Sequence, residues 1–297
     1  MKEKKVLQKY EQVEKDLTTK YRKEIWLKFV EGINEFDMIQ DGDKIAVCIS
    51  GGKDSMLLAK CMQEIKKHRK KDFELEFIVM DPGYSTKNRQ KIIDNAKLLN
   101  VPIKIFESNI FEVVTHVDDH PCYLCARMRR GHLYKFARSL GCNKIALGHH
   151  FDDVVETILM GMMYGAQMQT MMPKLHSTFH EGMELIRPLY YVKEADIIRW
   201  RDENELEFLQ CACKFTEEYT KTNNEEGMSK RKEMKDLLVG LRKKYDKIDM
   251  NIYNSTKNVN LKTIISYVQD GKVHHFMDNY ENDIPKGKIE NNNYKGD

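Results

Sequence analysis

Between residues 44 and 150 the chain alternates short apolar runs with longer stretches whose apolar residues recur every three or four positions. KIAVCI (44–49) reads as a strand, and residues 54–70 as the helix that follows it. FELEFIVM (73–80) is a second strand. TKNRQKIIDNAKLLN (86–100) has helical spacing, with Asn100 and Pro102 as a stop. VPIKIF (101–106) gives a third strand, and RGHLYKFARSLG (130–141) an amphipathic helix closed by Gly141. NKIALGHH (143–150) is a fourth strand running into a polar turn, with a helix from about 152. This rhythm predicts an α/β fold, a doubly wound and mostly parallel sheet with helices on both faces. Ligands in such sheets gather at the carboxyl ends of strands, so SGGKDS (50–55) and GHHFDD (148–153) should share one crevice.

The flanks differ in character. Residues 1–40 read as a charged helical extension with Trp26, Phe29 and Phe36 as an apolar stripe, ahead of a main domain spanning 41–215. Within that domain, residues 187–213 suggest strand, helix, strand. A further extension (216–275) carries a basic helix at about 228–245. The segment 276–297 is polar and, from Asn279, reads as a disordered tail. MGMMYGAQMQTMMPK (160–174) holds six methionines, expected to fill core, with a mobile substrate-side loop as the alternative. No internal repeat is visible.

Composition narrows the class. With 297 residues, 41% of them hydrophobic, the chain can bury a sizeable core. No apolar run approaches the roughly 20 residues of a membrane span, and the N-terminus lacks a signal-peptide core, which argues against secretion and for a cytoplasmic protein. The net charge of +3 argues against a general nucleic-acid coat. Basic residues nevertheless crowd into RMRRGH (127–132) and SKRKEMKDLLVGLRKKYDK (229–247), whose plainer reading is a solvated helix face.

The turn at Ser50 is built for phosphate. It is not a Walker loop, since Val47 replaces the first glycine and Asp54 follows the lysine. Gly51 and Gly52 let backbone N–H groups approach an anion at the start of a helix, whose unpaired N–H groups add attraction. Ser50 and Ser55 can donate to phosphate oxygens and Lys53 supplies charge. Asp54 would repel bare phosphate, so it makes sense as a ligand to Mg²⁺. The stretch resembles the PP-loop of ATP pyrophosphatases, of adenine nucleotide alpha hydrolase-like fold, which cleave ATP between the α- and β-phosphates to adenylate a substrate. By that resemblance MDPGY (80–84), with Asp81, lies where the superfamily binds adenine, and Gly148 also joins the nucleotide site.

The seven cysteines are odd in number and thinly spread, which favours catalysis or metal binding over a disulfide framework. Cys48, Cys61 and Cys142 lie in apolar segments and read as buried small hydrophobes. Cys122 and Cys125 stand in C-x-x-C spacing; Cys211 and Cys213 follow far downstream. Three readings are open: a four-cysteine zinc site, a redox dithiol, and an iron–sulfur cluster on three cysteines with one open iron. In the acidic turn LGHHFDDVVET (147–157), with His149 and His150, Asp152 and Asp153 suit Mg²⁺ or proton handling, the plainer reading being an Asp helix cap.

EFDMIQDGDKIAVCISGGKDS, CYLCARMRRG, LGHHFDDVVETIL, IRPLYYVKEADI, FLQCAC and YNSTKNV occur in the order and spacing of the TtcA-type tRNA 2-thiocytidine synthetases, and the resemblance covers about residues 25–265. It implies ATP, Mg²⁺ and a [4Fe–4S] cluster as cofactors, and thiolation at C2 of an anticodon-loop cytidine in tRNA. It implies cluster ligands Cys122, Cys125 and Cys211, with Cys213 the fallback because the family's second C-x-x-C is here Cys211-Ala-Cys213. It further implies Asp153 as the acidic residue of its turn that is catalytic, beside Asp152, and Arg129 as a charge stabiliser rather than a proton carrier. The sulfur donor would be a cysteine desulfurase or free sulfide, and a homodimer fits the family. The alternatives are a 2-thiouridine synthase, a lysidine-type ligase, or a zinc-stapled RNA-binding protein.

Overall fold

A strand apolar along its whole length must be covered on both faces, and KIAVCI is: it forms β1 (Lys44–Ile49), buried from Ile45 onward. The computed structural model describes residues 7–68, 70–108, 110, 121–209, 230–278 and 280, with side chains from Arg127 onward in the helix that opens at Pro121. Beside β1 run β2 (Glu74–Asp81), β3 (Ile103–Glu107), β4 (Lys144–Ala146), β5 (Lys174–His176) and β6 (Glu184–Ile186). The six strands are ordered β3-β2-β1-β4-β6-β5. Only β5 is antiparallel among the described strands of this sheet.

Topology locates the crevice. The chain leaves β1 toward β2 and β3, then crosses back to add β4 on the other side of β1. That reversal opens a cleft at the carboxyl ends of β1 and β4, where residues 50–52 and 147–150 turn into helices. The helix Pro121–Ser139 covers one face through Tyr134 and Ala137 against Ala46, Cys48 and Ile145. The opposite face carries the helices Lys53–Lys67, Phe151–Gly165 and Glu194–Glu203.

The flanking helices close this second layer. Val13, Leu17, Ile25 and Phe29, from the segment Lys9–Glu35, share one core with Ile45, Leu57 and Trp200. Lys230–Lys244 packs Met234 and Leu238 inward, and Tyr253 of the helix Ile248–Ser255 meets Phe151 edge to face at 5.6 Å. A separate antiparallel hairpin follows, β7 (Ser266–Gln269) with β8 (Lys272–His275). No described helix is long and apolar enough to cross a membrane.

Two expectations need correcting. RPLYYV is not a strand: Tyr190 and Val192 donate to Arg187 and Leu189 carbonyls three residues back, so these buried residues line successive turns. The strand lies just upstream as β6, residues 206–209 after the Glu194–Glu203 helix are irregular, and 210–213 fall outside the described residues. Nor do most of the methionines fill core, although half-buried Met171 packs against it. Met162, Met163, Met168 and Met172 are exposed, Met163 at 55%. The tail from Asn279 lies outside the described residues except for Tyr280.

Candidate active site

β1 delivers the chain to Ser50, and Gly51 then adopts φ +85°, a left-handed value that disfavours any Cβ. A Cβ there would also strike Ile92 Cγ1 at 2.7 Å. The helix Lys53–Lys67 starts immediately, so its first N–H groups face the turn. Ser55 Oγ accepts from the Ser50 N–H (3.1 Å) and donates to the Gly52 carbonyl (3.0 Å), locking the loop. The Lys53 ammonium donates to Asp54 Oδ2 (3.3 Å) and to Glu194 Oε1 (3.2 Å). Asp54 Oδ1 is buried and receives no hydrogen bond among the described residues, its contact being an ion pair with the Lys53 ammonium at 3.2 Å. A buried carboxylate paired with a flexible ammonium beside a phosphate turn has the donor chemistry for a divalent cation.

The opposite wall follows β4. A Cβ on Gly148 would lie 3.1 Å from both Asp54 C and Ser55 N, so only glycine lets the two turns touch without displacement. His150 caps the Phe151–Gly165 helix: its Nδ1 accepts from the Asp153 N–H, and Asp153 Oδ2 accepts from the His150 N–H at 3.0 Å. Burial raises the Asp153 carboxyl, but His150 and Arg231, whose Nη1 lies 3.2 Å away, outweigh it and lower its pKa. His149 is held neutral, its pKa pushed to about 4 by burial and by Arg187, whose Nε donates to His149 Nδ1 at 3.3 Å. The neutral ring then carries its proton on Nε2.

Asp152 faces elsewhere. Its Oδ2 accepts from the Glu194 N–H (2.7 Å) and its Oδ1 pairs with Arg242 Nη2 (2.6 Å), so it clamps three helices together. Asp81 is likewise engaged, Oδ1 accepting from the Gly83 and Tyr84 N–H groups (2.9 and 2.7 Å) and Oδ2 pairing with Arg89. It shapes the turn after β2, and its neighbours Met80 and Tyr84 reach the cleft.

Between these walls lies a cavity of about 290 Å³, lined by Ser50, Asp54, Ser55, Gly148, His149 and Asp153 with Arg129 from the Pro121–Ser139 helix. A second, larger cavity of about 910 Å³ lies across the loop, with Gly52, Lys53, Glu194, Leu209 and Lys235 at its wall. Cys122 and Cys125 stand one turn apart on the helix that carries Arg129. Cys211 and Cys213 lie outside the described residues, but the chain meets the phosphate turn just before them, the Leu209 N–H donating to the Gly51 carbonyl at 3.2 Å. Cys48, Cys61 and Cys142 are buried free thiols; burial raises all three, Cys142 to about 11.

Sequence reasoning missed the counter-ions. Glu194 binds Lys53 and Lys235; Arg231 binds Asp153 and lies 3.5 Å from Glu156; Arg242 bridges Asp152 and Asp249. A signal was present: residues 231, 235 and 242 follow the helical spacing of buried Met234 and Leu238, so part of the basic helix faces inward.

Residues 21–223 match the PP-loop domain family model. The tRNA-cytidine(32) 2-sulfurtransferase of Bdellovibrio bacteriovorus is 36% identical over 82% of this chain and 89% of its own length. That of Polaromonas naphthalenivorans is 32% identical over 86% and 78%. That of Neisseria meningitidis serogroup C is 41% identical over 61% of this chain, and the match spans only 57% of that relative's length. The U34-tRNA thiolase NcsA from Methanococcus maripaludis, solved with its [4Fe-4S] cluster, superposes with a TM-score of 0.59 at 21% identity over 77% of this chain and 76% of its own, a shared fold. With its glycine turn, its switch-point cleft and these matches, the chain belongs to the PP-loop domain family and to the same family as the tRNA-cytidine(32) 2-sulfurtransferases it resembles.

Proposed function

We propose that this chain is an ATP-dependent tRNA thiolase that converts C2 of an anticodon-loop cytidine to 2-thiocytidine. One observation carries the reading: both cysteine-bearing segments lead to the same phosphate turn, from its two sides. Arg129, one turn beyond Cys125, lines the 290 Å³ cavity with Ser50 and Ser55, and Leu209, two residues before Cys211, is hydrogen-bonded to Gly51 and lines the cavity across the loop. The names of the relatives support the choice of substrate.

In this reading the Gly51–Gly52 N–H groups, Ser50 and Ser55 hold the β- and γ-phosphates, and Asp54 would hold Mg²⁺, which spreads their charge. Arg129 balances charge at the α-phosphate. The cytidine O2 attacks the α-phosphorus, the α–β bridging P–O bond breaks, and pyrophosphate leaves. Sulfide then attacks C2, the C2–O bond breaks, and AMP departs with the original oxygen. Cys122, Cys125 and Cys211 would hold a [4Fe–4S] cluster, which when bound supplies an open iron that presents sulfide to the base. Asp153, kept ionised by His150 and Arg231, can accept a proton but not donate one. His149, neutral with Nδ1 blocked by Arg187, offers an Nε2–H as a hydrogen-bond donor in the cavity.

The test is mass spectrometry of tRNA nucleosides after anaerobic incubation of iron-loaded protein with ATP and sulfide. New 2-thiocytidine, accompanied by AMP and pyrophosphate, is the expected product; ATP cleavage with unchanged cytidine would overturn the proposal. Cys211→Ser should abolish iron retention and visible absorption, whereas Cys213→Ser should keep both.

A further inference from the structure

Beyond the PP-loop cavity, at the sheet edge, lies a third chamber of about 620 Å³. Its walls are the Pro121–Ser139 helix and the β5–β6 hairpin. No aspartate or glutamate lines it, while Arg127, Arg130 and Arg187 all do. Arg187 is buried, donating to the Met172 carbonyl and to His149, and it has no carboxylate partner among the described residues. A buried cation without a counter-ion is costly and marks a place where an anion binds. Arg127 and Arg130, one turn apart on the helix, are exposed and form no ion pair with any described residue.

The chamber also offers aromatic surface. Tyr134 stacks on His180 at 5.0 Å, which fixes the hairpin loop against the helix. Phe179, next in the loop, is 81% exposed at the rim, an apolar ring with no packing role in the fold. A free inorganic anion needs the guanidinium groups but not the ring. A nucleotide uses both, stacking its base and placing its phosphodiester on arginine. Position agrees with this, because the chamber and the PP-loop cavity are partitioned by the Arg187–His149 hydrogen bond.

We propose that this chamber is a subsite for one nucleotide of single-stranded RNA, its base on Phe179 and its phosphodiester on Arg127 and Arg130, next to the nucleotide that enters the PP-loop cavity. Only the identity of that neighbouring nucleotide rests on the thiolase reading. The subsite gives two-point recognition of a loop: one base turned toward the chemistry, the adjacent one held, so that a duplex cannot satisfy both.

The test is fluorescence anisotropy on the full chain with three labelled RNAs: an anticodon hairpin, its loop sequence as a single strand, and a duplex. Phe179→Ala should weaken the hairpin and single strand by about 5- to 100-fold and leave duplex binding unchanged. Arg130→Gln should weaken them and lower the slope of log K against log salt by about 0.7. Both residues are exposed, so neither variant threatens folding. If inorganic pyrophosphate displaces the single strand while Phe179→Ala binds as wild type, the chamber is an anion site and the proposal falls. Unchanged RNA affinity in variants that still make 2-thiocytidine sinks the subsite alone. Loss of loop binding in Phe179→Ala, in a protein that never thiolates RNA, sinks the thiolase reading and supports the subsite.

Discussion

Replacing Glu156 by glutamine isolates the cost of burying an acid beside the site. Glu156 lies one turn into the Phe151–Gly165 helix with its carboxyl buried, and Arg231 Nε stands 3.5 Å away. Burial lifts its pKa from 4.5 to about 7; Asp153 adds to the rise, while Arg231 and Lys235 oppose it without prevailing. The folded chain therefore keeps a proton that the unfolded chain has released. A carboxyl raised in this way contributes stability that is fully present below pH 4.5 and is lost as pH climbs through about 7. At roughly 1.4 kcal/mol per unit, the whole loss is on the order of 3 kcal/mol. Glutamine mimics the protonated acid in size and hydrogen bonding, so Glu156→Gln should escape this loss. In urea titrations the variant should nearly match wild type at about pH 5 and exceed it by up to the order of 3 kcal/mol at about pH 8. A gap that does not change with pH, or one that shrinks as pH rises, would refute the reasoning.

Three further outcomes follow from the same contacts. Gly148→Ala should cost about 1–3 kcal/mol in denaturant unfolding and weaken ATP binding by calorimetry, because its Cβ would press on the Asp54–Ser55 backbone rather than on a side chain that can rotate away. Arg242→Met strands two buried carboxylates, Asp152 and Asp249, and should cost about 3–5 kcal/mol, with faster hydrogen exchange across residues 230–255. Glu194→Gln releases Lys53 and Lys235 from their carboxylate and should tighten ATP roughly tenfold at low ionic strength, an advantage that fades as salt screens it.

What the sequence made legible was local. SGGKDS announces a strand, a glycine turn and a helix start within adjacent residues, and KIAVCI and FELEFIVM declare buried strands by composition alone. The family motifs do the same for GHHFDD. What stayed hidden was long-range or ambiguous in period. β5 and β6 are three residues each, too short for alternation to show. RPLYYV is apolar because its turns are buried, which a strand would equally require. The methionines look like core in composition, and nothing in their spacing marks them as exposed. Asp152 carried the right residue type in the right turn, yet its partners Glu194 and Arg242 lie 42 and 90 positions away.

The basic helix Lys230–Lys244 makes the deepest of these points. Its charge invites an RNA-binding reading, and Lys243 and Lys244 do face solvent. Its inward stripe serves a different purpose. Asp54, Asp153 and Glu194 surround a turn that must receive a polyanion, and left alone their field would repel it. Arg231 and Lys235 offset Asp153 and Glu194 from across the cleft, and Lys53 is shared between Asp54 and Glu194. Lys53 can turn to a phosphate only by leaving Asp54 and Glu194, so its part in nucleotide binding is an exchange of ion pairs. The exchange limits affinity, because one interaction is lost for each one gained. Glu194 is shared between Lys53 of the turn and Lys235 of the Lys230–Lys244 helix, so the same carboxylate that restrains Lys53 also anchors that helix over the cleft.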